Sequence, residues 1–261
     1  MASARTVPPS FVRLAAHEVR WRLLSELARS DLRVRELVEL VGQPQNLVSY
    51  HLRLLRSGGL VAARRSSFDG RDSYYHLDLE CCADALAAAG ACLHPALRLA
   101  PAQPVLAAED SAAPSVLFVC TGNSARSPIA EALLRHRTGG RAEATSAGSH
   151  PKPRLHPGAV RVLRRRYGID FAGRRPRHLD TMTGRRFDYV ISLCDKVREV
   201  CPEFVDRQRR LHWSIPDPAA DGDDTAGAGG PAFDRTAAEI DTRIRYLLPM
   251  LAHTPHREVQ P

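Results

Sequence analysis

The stretch from Val116 to Ala130, which reads VLFVCTGNSARSPIA, constrains the fold of this chain more than any other. Its first four residues are all apolar, and an unbroken apolar run of this length is typical of a buried strand in a parallel sheet. Cys120 follows the run, Arg126 and Ser127 come shortly after it, and Pro128 suits the first turn of a helix. The stretch therefore predicts a strand, a tight loop and a helix N-terminus in direct succession.

A loop in this position can bind an oxyanion. Its backbone N–H groups converge on one point, and the helix dipole favours negative charge there. Arg126 adds a planar fork that pairs bidentately with two oxygens of phosphate or arsenate. A cysteine in such a positive field is favoured as the nucleophilic thiolate, and we expect Ser127 to donate a hydrogen bond to the sulfur of Cys120. The predicted oxyanion loop comprises Thr121, Gly122, Asn123, Ser124, Ala125 and Arg126.

The segment CTGNSARS resembles the loop of the low-molecular-weight protein tyrosine phosphatases and of the arsenate reductases built on the same fold. The resemblance implies that Cys120 is the nucleophile and that Asn123, Glu131 and Ser146 support the loop. Some members bind potassium near these positions, but the segment 174–178 is basic here where those members are acidic, which argues against potassium dependence. Many reductases also carry a further cysteine at the position of Ala125.

Strands alternate with helices from residue 115 to about 253, which predicts an α/β domain with a central parallel sheet and ligands at the carboxyl ends of its strands. Cys120 and Cys194 both follow predicted strands, so we expect their thiols to face one crevice. The predicted elements after the loop are helices over 127–137, 156–167 and 234–251 and strands over 143–147 and 187–193.

The segment CDKVREVC places Cys201 seven residues after Cys194. In one helix these thiols share a face with Cα atoms about 10.5 Å apart, whereas a disulfide requires roughly 4.4 to 6.8 Å, so their pairing requires the segment to unwind. The spacing resembles the thiol-relay arsenate reductases, in which two such cysteines succeed the loop cysteine. Asp217, in an Asp-Pro step behind His-Trp, resembles the general acid of the family.

The N-terminal third predicts a separate α+β unit of the winged helix-turn-helix class. Two short helices joined by a Gly-containing turn precede a basic hairpin, which is the arrangement of a DNA-binding domain. The predicted elements are two helices within 11–29 broken near His17, helices over 32–41 and 45–57, strands over 60–65 and 72–79, and a helix over 81–91. We expect the apolar stripe of the helix over 45–57 to consist of Leu47, His51, Leu52 and Leu55.

The helix over 45–57 carries polar side chains suited to reading DNA, because Gln and Asn bind adenine edges, Arg binds guanine, and Ser and Tyr reach phosphates. The segment QNLVSYHLRLLRSGGLV, with the hairpin, resembles the ArsR-type winged-helix repressors. The resemblance implies an operator DNA partner and a homodimer formed through this domain. The predicted DNA contacts are Gln45, Asn46, Ser49, Tyr50 and Arg53 on the helix and Arg64, Arg65 and Arg71 on the wing.

Cys81, Cys82 and Cys92 raise the possibility of a metalloid sensor, since thiolates are the soft ligands that trivalent arsenic or antimony selects. Many ArsR-type repressors carry cysteines on the helix before the recognition helix, but residues 32–35 contain none. In one straight helix Cys82 and Cys92 lie about 15 Å apart, and antiparallel pairing across a dimer could close that gap. The alternative is that these cysteines are small hydrophobic residues in a helix interface.

Composition supports this division without deciding the function. A net charge of +8 and a pI near 9.6 favour polyanionic partners. Six cysteines in a chain of this length do not indicate a secreted disulfide scaffold, and no signal peptide or membrane-spanning run is evident, so we expect a cytoplasmic protein. The predicted organisation is a DNA-binding domain over 1–94, an Ala- and Pro-rich linker over 95–114, and the α/β domain over 115–261.

The combined prediction is a regulator fused to a thiol-relay arsenate reductase without a tightly bound cofactor. Cys120 attacks arsenate, Cys194 attacks Cys120 and releases arsenite, and Cys201 resolves the disulfide for thioredoxin or a small thiol to reduce. Trivalent arsenic is then a candidate inducer. Two alternatives stay open: a phosphotyrosine phosphatase fused to a regulator, and a regulator whose second domain senses an oxyanion without catalysis.

Overall fold

The computed structural model describes residues 7–68, 70–98, 113–200, 210–219 and 230–252. The chain divides into two compact units, Met1–Ala102 and Gln103–Pro261. Most of the predicted linker, residues 99–112, lies outside the described residues. Within the described ranges, no helix combines the length and the apolar character needed to cross a bilayer.

The first unit packs helices against a three-stranded sheet whose order is β1-β3-β2, with antiparallel pairing throughout. Its elements are α1 (Ser10–Ala15), α2 (Glu18–Leu27), β1 (Leu32–Arg33), α3 (Val34–Val41), α4 (Gln45–Ser57), β2 (Val61–Arg65), β3 (Ser73–Leu77) and α5 (Leu79–Leu93). Helix α3, the turn at Gly42 and helix α4 form the helix-turn-helix, and β2 with β3 forms the wing. Gly42 ends α3 in the left-handed conformation, with φ of 65°.

Two predictions for this unit were wrong in detail. Residues Leu32 and Arg33 are not helical, because their backbone pairs with β3 and the Glu36 carboxylate accepts the N–H of Arg33 at 2.8 Å, which starts helix α3 at Val34. On α4 the residue buried alongside His51, Leu52 and Leu55 is Val48, whereas the predicted Leu47 is only half-buried. The helix is therefore rotated slightly relative to the predicted stripe.

The second unit contains a four-stranded parallel sheet in the order β5-β4-β6-β7, which confirms the predicted α/β architecture. Its elements are β4 (Ser115–Cys120), α6 (Arg126–Thr138), β5 (Glu143–Gly148), α7 (Pro157–Tyr167), β6 (Tyr189–Ser192), α8 (Asp195–Val200), β7 (Arg210–His212) and α9 (Gly230–Ala252). Strand β7 is absent from the sequence-based prediction because its three residues are too few to show a period.

Strand β4 lies between β5 and β6, and its apolar run is almost completely buried, with Val116 and Phe118 at 0% exposure. This burial on both faces is the reason the strand is apolar without alternation. Because β4 and β6 are neighbours in register, Cys120 and Cys194 leave the sheet at the same edge. The central strand thus delivers the oxyanion loop to the position where two thiols can meet.

Candidate active site

The oxyanion loop turns its carbonyl groups outward. The carbonyls of Cys120, Thr121 and Gly122 accept N–H groups of the segment 149–152, and the carbonyl of Ser124 accepts the N–H of His156 at 2.8 Å. Within the described ranges, none of the N–H groups of residues 122–125 donates to a protein acceptor. The arrangement leaves these donors available to an anion at the N-terminus of α6.

Two backbone features hold the loop in this shape. Asn123 has a φ of 42°, the left-handed region that Asn tolerates better than most residues. Gly148, at the end of β5, lies directly under the loop: a Cβ there would be 2.6 Å from the Thr121 carbonyl oxygen and 2.8 Å from the Asn123 nitrogen. Only glycine allows this approach.

A directed chain of hydrogen bonds leads from Asn123 to the sulfur of Cys120. The Asn123 amide Nδ2 donates to Ser127 Oγ at 2.9 Å and to Ser146 Oγ at 2.9 Å. Because Ser127 Oγ accepts that proton, its own hydroxyl proton can point to the Cys120 sulfur, 3.0 Å away. Ser127 is therefore placed to donate a hydrogen bond to the Cys120 sulfur.

Glu131 and Arg177 anchor the other end of this chain. Ser146 Oγ donates to Glu131 Oε2 at 2.7 Å, and the Arg177 guanidinium pairs with the same carboxylate oxygen. Arg177 also donates its backbone N–H to Asn123 Oδ1 at 2.7 Å and its Nε–H to the Ser146 carbonyl at 3.1 Å. The Glu131 carboxylate is 1% exposed, so a compensating cation is needed beside it.

Arg126 links the loop to the segment that carries Asp217. The Arg126 side chain is 7% exposed, and its two terminal nitrogens donate to the Ile215 carbonyl and to Asp217 Oδ2, each at 3.0 Å. The other carboxylate oxygen of Asp217 accepts the N–H of Ala219 at 3.1 Å. Asp217 thus lies beside the loop, paired with its arginine.

Cys194 lies beside the loop, as expected. Its sulfur is 3.4 Å from Thr121 Oγ1, and the side chain is almost fully buried. Burial raises the pKa of the Cys194 thiol, and the positive charge of Arg126 opposes that shift. Cys201 lies outside the described residues.

A buried hydrogen-bonded pair fixes the residue after Cys194. Asp195 Oδ1 is hydrogen-bonded to His212 Nε2 at 3.0 Å, and each side chain is 2% exposed. His212 Nδ1 in turn lies 2.9 Å from Ser192 Oγ. The pair connects the start of α8 to β7, and therefore holds Cys194 against the loop.

In the first unit most of the predicted DNA-reading side chains are exposed. Gln45, Asn46, Tyr50 and Arg53 are exposed on α4, Ser49 and Arg64 are half-buried, and Arg65 and Arg71 are exposed on the wing. His51, on the opposite side of α4, is 3% exposed and packs against the ring of His17, with centroids 4.4 Å apart. Helix α4 thus packs against the first unit with its apolar side and exposes its polar side to solvent.

The three cysteines of α5 do not come together within one chain. Cys82 is buried, contacts the Leu60 carbonyl through its sulfur at 3.5 Å, and has a pKa raised to about 12, chiefly by burial. Cys81 and Cys92 are exposed on the same helix. Cys82 therefore behaves as a core residue, and within the described ranges no group of three metal-ligating side chains exists.

Several residues of the site cannot be recognised from the sequence. The sequence shows Arg177 only as part of a basic segment, whereas its guanidinium pairs with Glu131, which Arg135 also contacts. Gly148, Asp195 and His212 were not assigned roles, and no local pattern marks them. Each of these residues is identified only by a contact between distant segments. One example is the parallel bridge between Gly148 and His178, which brings Arg177 to the loop.

Comparisons with known proteins agree with this division. The family model described as low molecular weight phosphotyrosine protein phosphatase matches residues 115–258, and the one described as bacterial regulatory protein, arsR family, matches residues 17–63. Arsenate reductases of Brevibacillus brevis and Halalkalibacterium halodurans are each 33% identical over 131 residues, which is 50% of this chain and 91% of theirs. A crystal structure of arsenate reductase from Archaeoglobus fulgidus is 30% identical, covering 51% of this chain and 98% of its own, with a TM-score of 0.42.

Proposed function

Because this chain belongs to the low molecular weight phosphotyrosine protein phosphatase family over residues 115–258 and carries an arsR-family domain over residues 17–63, we propose that it is a thiol-dependent arsenate reductase fused to a transcriptional regulator. The choice of arsenate over phosphotyrosine is supported by Cys194. A phosphatase needs only the loop cysteine, Arg126 and Asp217, whereas a reductase also needs a second thiol beside the first. The Cys194 sulfur, 3.4 Å from Thr121 Oγ1, has that position.

The first step is nucleophilic substitution at arsenic. Arsenate binds to the N–H groups of the loop and to Arg126, and the Cys120 thiolate attacks arsenic. An As–O bond breaks while the S–As bond forms, and Asp217 protonates the oxygen that leaves as water. For this step Arg126 exchanges its contact with Asp217 for contacts with arsenate, which frees the carboxyl group to act as the acid.

The second step is the reduction itself. The Cys194 thiolate attacks the Cys120 sulfur, the S–As bond breaks, and its electron pair stays on arsenic, so that arsenic(V) becomes arsenic(III) and the two sulfurs are oxidised to a disulfide. Cys201 then attacks Cys194, releases the Cys120 thiolate and leaves a Cys194–Cys201 disulfide. Thioredoxin or a small thiol supplies the two electrons that restore the enzyme.

Side-by-side turnover of arsenate and an aryl phosphate, with thioredoxin present, tests this proposal. We expect Cys194→Ser and Cys201→Ser to stop multiple turnover on arsenate and to leave aryl-phosphate hydrolysis nearly intact, because hydrolysis of a phosphocysteine needs water and Asp217 alone. Cys92→Ser is the matched control and keeps both activities. If both relay variants reduce arsenate at the wild-type rate, the relay through Cys194 and Cys201 is wrong. If the wild type hydrolyses the aryl phosphate and does not reduce arsenate, the phosphatase alternative replaces the reductase.

The first unit, we propose, binds operator DNA as a homodimer through α4 and the wing. The exposed polar side of α4 supports this, as do the arginines of the hairpin. Arsenite, the product of the second unit, is the proposed inducer. Its thiol ligands are Cys81 and Cys92 rather than the buried Cys82, and because these two lie about 16 Å apart on one helix, they are brought together by antiparallel pairing of α5 across the dimer. Release of DNA by arsenite from the wild type, but not from a Cys81→Ser, Cys92→Ser double variant, is the expected result in a mobility-shift assay. Release from both proteins would exclude these two thiols as ligands.

A further inference from the structure

Lys152 lies across the oxyanion loop. Its backbone N–H donates to the Gly122 carbonyl at 2.9 Å. Its side chain covers the same residue: a Cβ added to Gly122 would lie 3.4 Å from Lys152 Cγ and 3.7 Å from Lys152 Cε. The aliphatic stem therefore runs over the loop two residues after Cys120, and the ammonium group is one bond beyond Cε.

The ammonium group of Lys152 is exposed and has no carboxylate partner among the described side chains. Its backbone is stiff, because Pro151 and Pro153 flank it, each proline fixes its own φ, and Pro153 restricts Lys152 to extended conformations. The hydrogen bond to Gly122 adds a third constraint. A lysine held in this way carries a preorganised positive charge, which loses less conformational freedom on binding an anion than a mobile one does.

We propose that Lys152 is a second cationic substrate-binding residue, which acts with Arg126 to increase the affinity of the site for small doubly charged inorganic oxyanions such as arsenate and phosphate. The inference rests on the proposed function, whose substrate class it specifies. Arg126 binds oxygens that face the loop, and the exposed side chain of Lys152, whose stem lies against Gly122, is assigned to an oxygen of the oxyanion that faces solvent. A second cation favours a dianion over a monoanion, because each added charge pair contributes separately.

Three variants isolate this charge. Lys152→Gln removes the charge and keeps the stem, and Lys152→Arg keeps the charge. Arg164→Gln is the matched control, since it makes the same change in net charge at an exposed residue near the other end of α7. Each protein is alkylated at Cys120 with iodoacetamide at pH 8 while inorganic phosphate is titrated, and the protection gives a dissociation constant that does not depend on turnover.

We expect Lys152→Gln to raise the phosphate dissociation constant about three- to fivefold, the range for one partly exposed ion pair. Lys152→Arg and Arg164→Gln should stay within about 1.5-fold of wild type, since neither removes a charge from the mouth of the loop. The difference between wild type and Lys152→Gln should shrink at high salt, because exposed charges are screened. In arsenate turnover the loss should fall on KM rather than on kcat.

Equal phosphate affinity in the Lys152→Gln and Arg164→Gln proteins would overturn the proposal while leaving the proposed function intact. Failure of phosphate to protect Cys120 in the wild type would instead overturn oxyanion binding by the loop, and the role of Lys152 with it. Protection that is weakened equally by Lys152→Gln and Lys152→Arg would show that the stem, not the charge, matters, which also contradicts the proposal.

Discussion

Replacement of Asn123 by alanine tests whether the hydrogen-bond chain behind Cys120 holds the oxyanion loop. Asn123 is 1% exposed, and its side chain makes three hydrogen bonds, to Ser127, Ser146 and the N–H of Arg177. Each such bond contributes about 1 kcal/mol to the free energy of unfolding. Alanine at the observed φ of 42° adds a backbone cost of roughly 1 kcal/mol. The expected loss is therefore about 3 to 4 kcal/mol.

Urea unfolding followed by the fluorescence of Trp213 measures this loss, because Trp213 is buried in the second unit. A Trp21→Phe background removes the exposed tryptophan of the first unit. With an m-value of about 2 to 3 kcal/mol per molar urea, the midpoint should fall by about 1.5 M.

Asn123→Gly should recover about 1 kcal/mol of the loss, since glycine accepts the positive φ. Asn46→Ala, an exposed change in the first unit, is the control. A midpoint shift below about 0.3 M in Asn123→Ala would refute the supporting role of the network.

Three further predictions concern activity and binding. Burial raises the pKa of Cys194, so the fraction of Cys194 present as thiolate increases about tenfold per pH unit. Arsenate reduction should therefore accelerate from pH 7 to 8.5, while aryl-phosphate hydrolysis shows no such rise. Parallel pH profiles of the two activities would contradict a role for Cys194. Cys120→Ser should abolish both activities, and a tenth of either one remaining would remove Cys120 from the nucleophile role. DNA binding should weaken steeply with added salt and disappear when residues 1–94 are removed, and a truncated protein that still shifts operator DNA would overturn that assignment.

The oxyanion loop could be predicted from sequence because its parts are local. Strand, loop and helix follow one another within Val116–Ala130. This short stretch contains every feature on which the prediction depends: the apolar run, Cys120, Arg126 and the proline. The structure confirms the parallel sheet that carries the loop. Ser127 likewise lies where the spacing suggests, 3.0 Å from the Cys120 sulfur.

The support of the loop could be predicted only in part, because it depends on contacts between distant segments. Arg177 binds Asn123 from 54 residues away, and a basic segment viewed alone indicates only that potassium-binding carboxylates are missing. Asp195 and His212 form their pair across 17 residues, from a helix and a strand whose side chains show no common pattern. The buried face of α4 could not be predicted fully from sequence for a similar reason. Leu47 and Val48 are both apolar, and only packing decides which of them is buried.

In the proposed relay, a disulfide between Cys120 and Cys194 is the intermediate that separates reduction from hydrolysis, and mass spectrometry after a single turnover measures it directly. Cys201→Ser protein, with Cys81 and Cys92 also replaced by serine, is mixed with one equivalent of arsenate, trapped with iodoacetamide and digested. We predict one cross-linked peptide containing Cys120 and Cys194 per arsenite released, because the resolving thiol is missing. Arsenite release without this peptide, or no arsenite at all from a protein that still hydrolyses aryl phosphates, would contradict the relay.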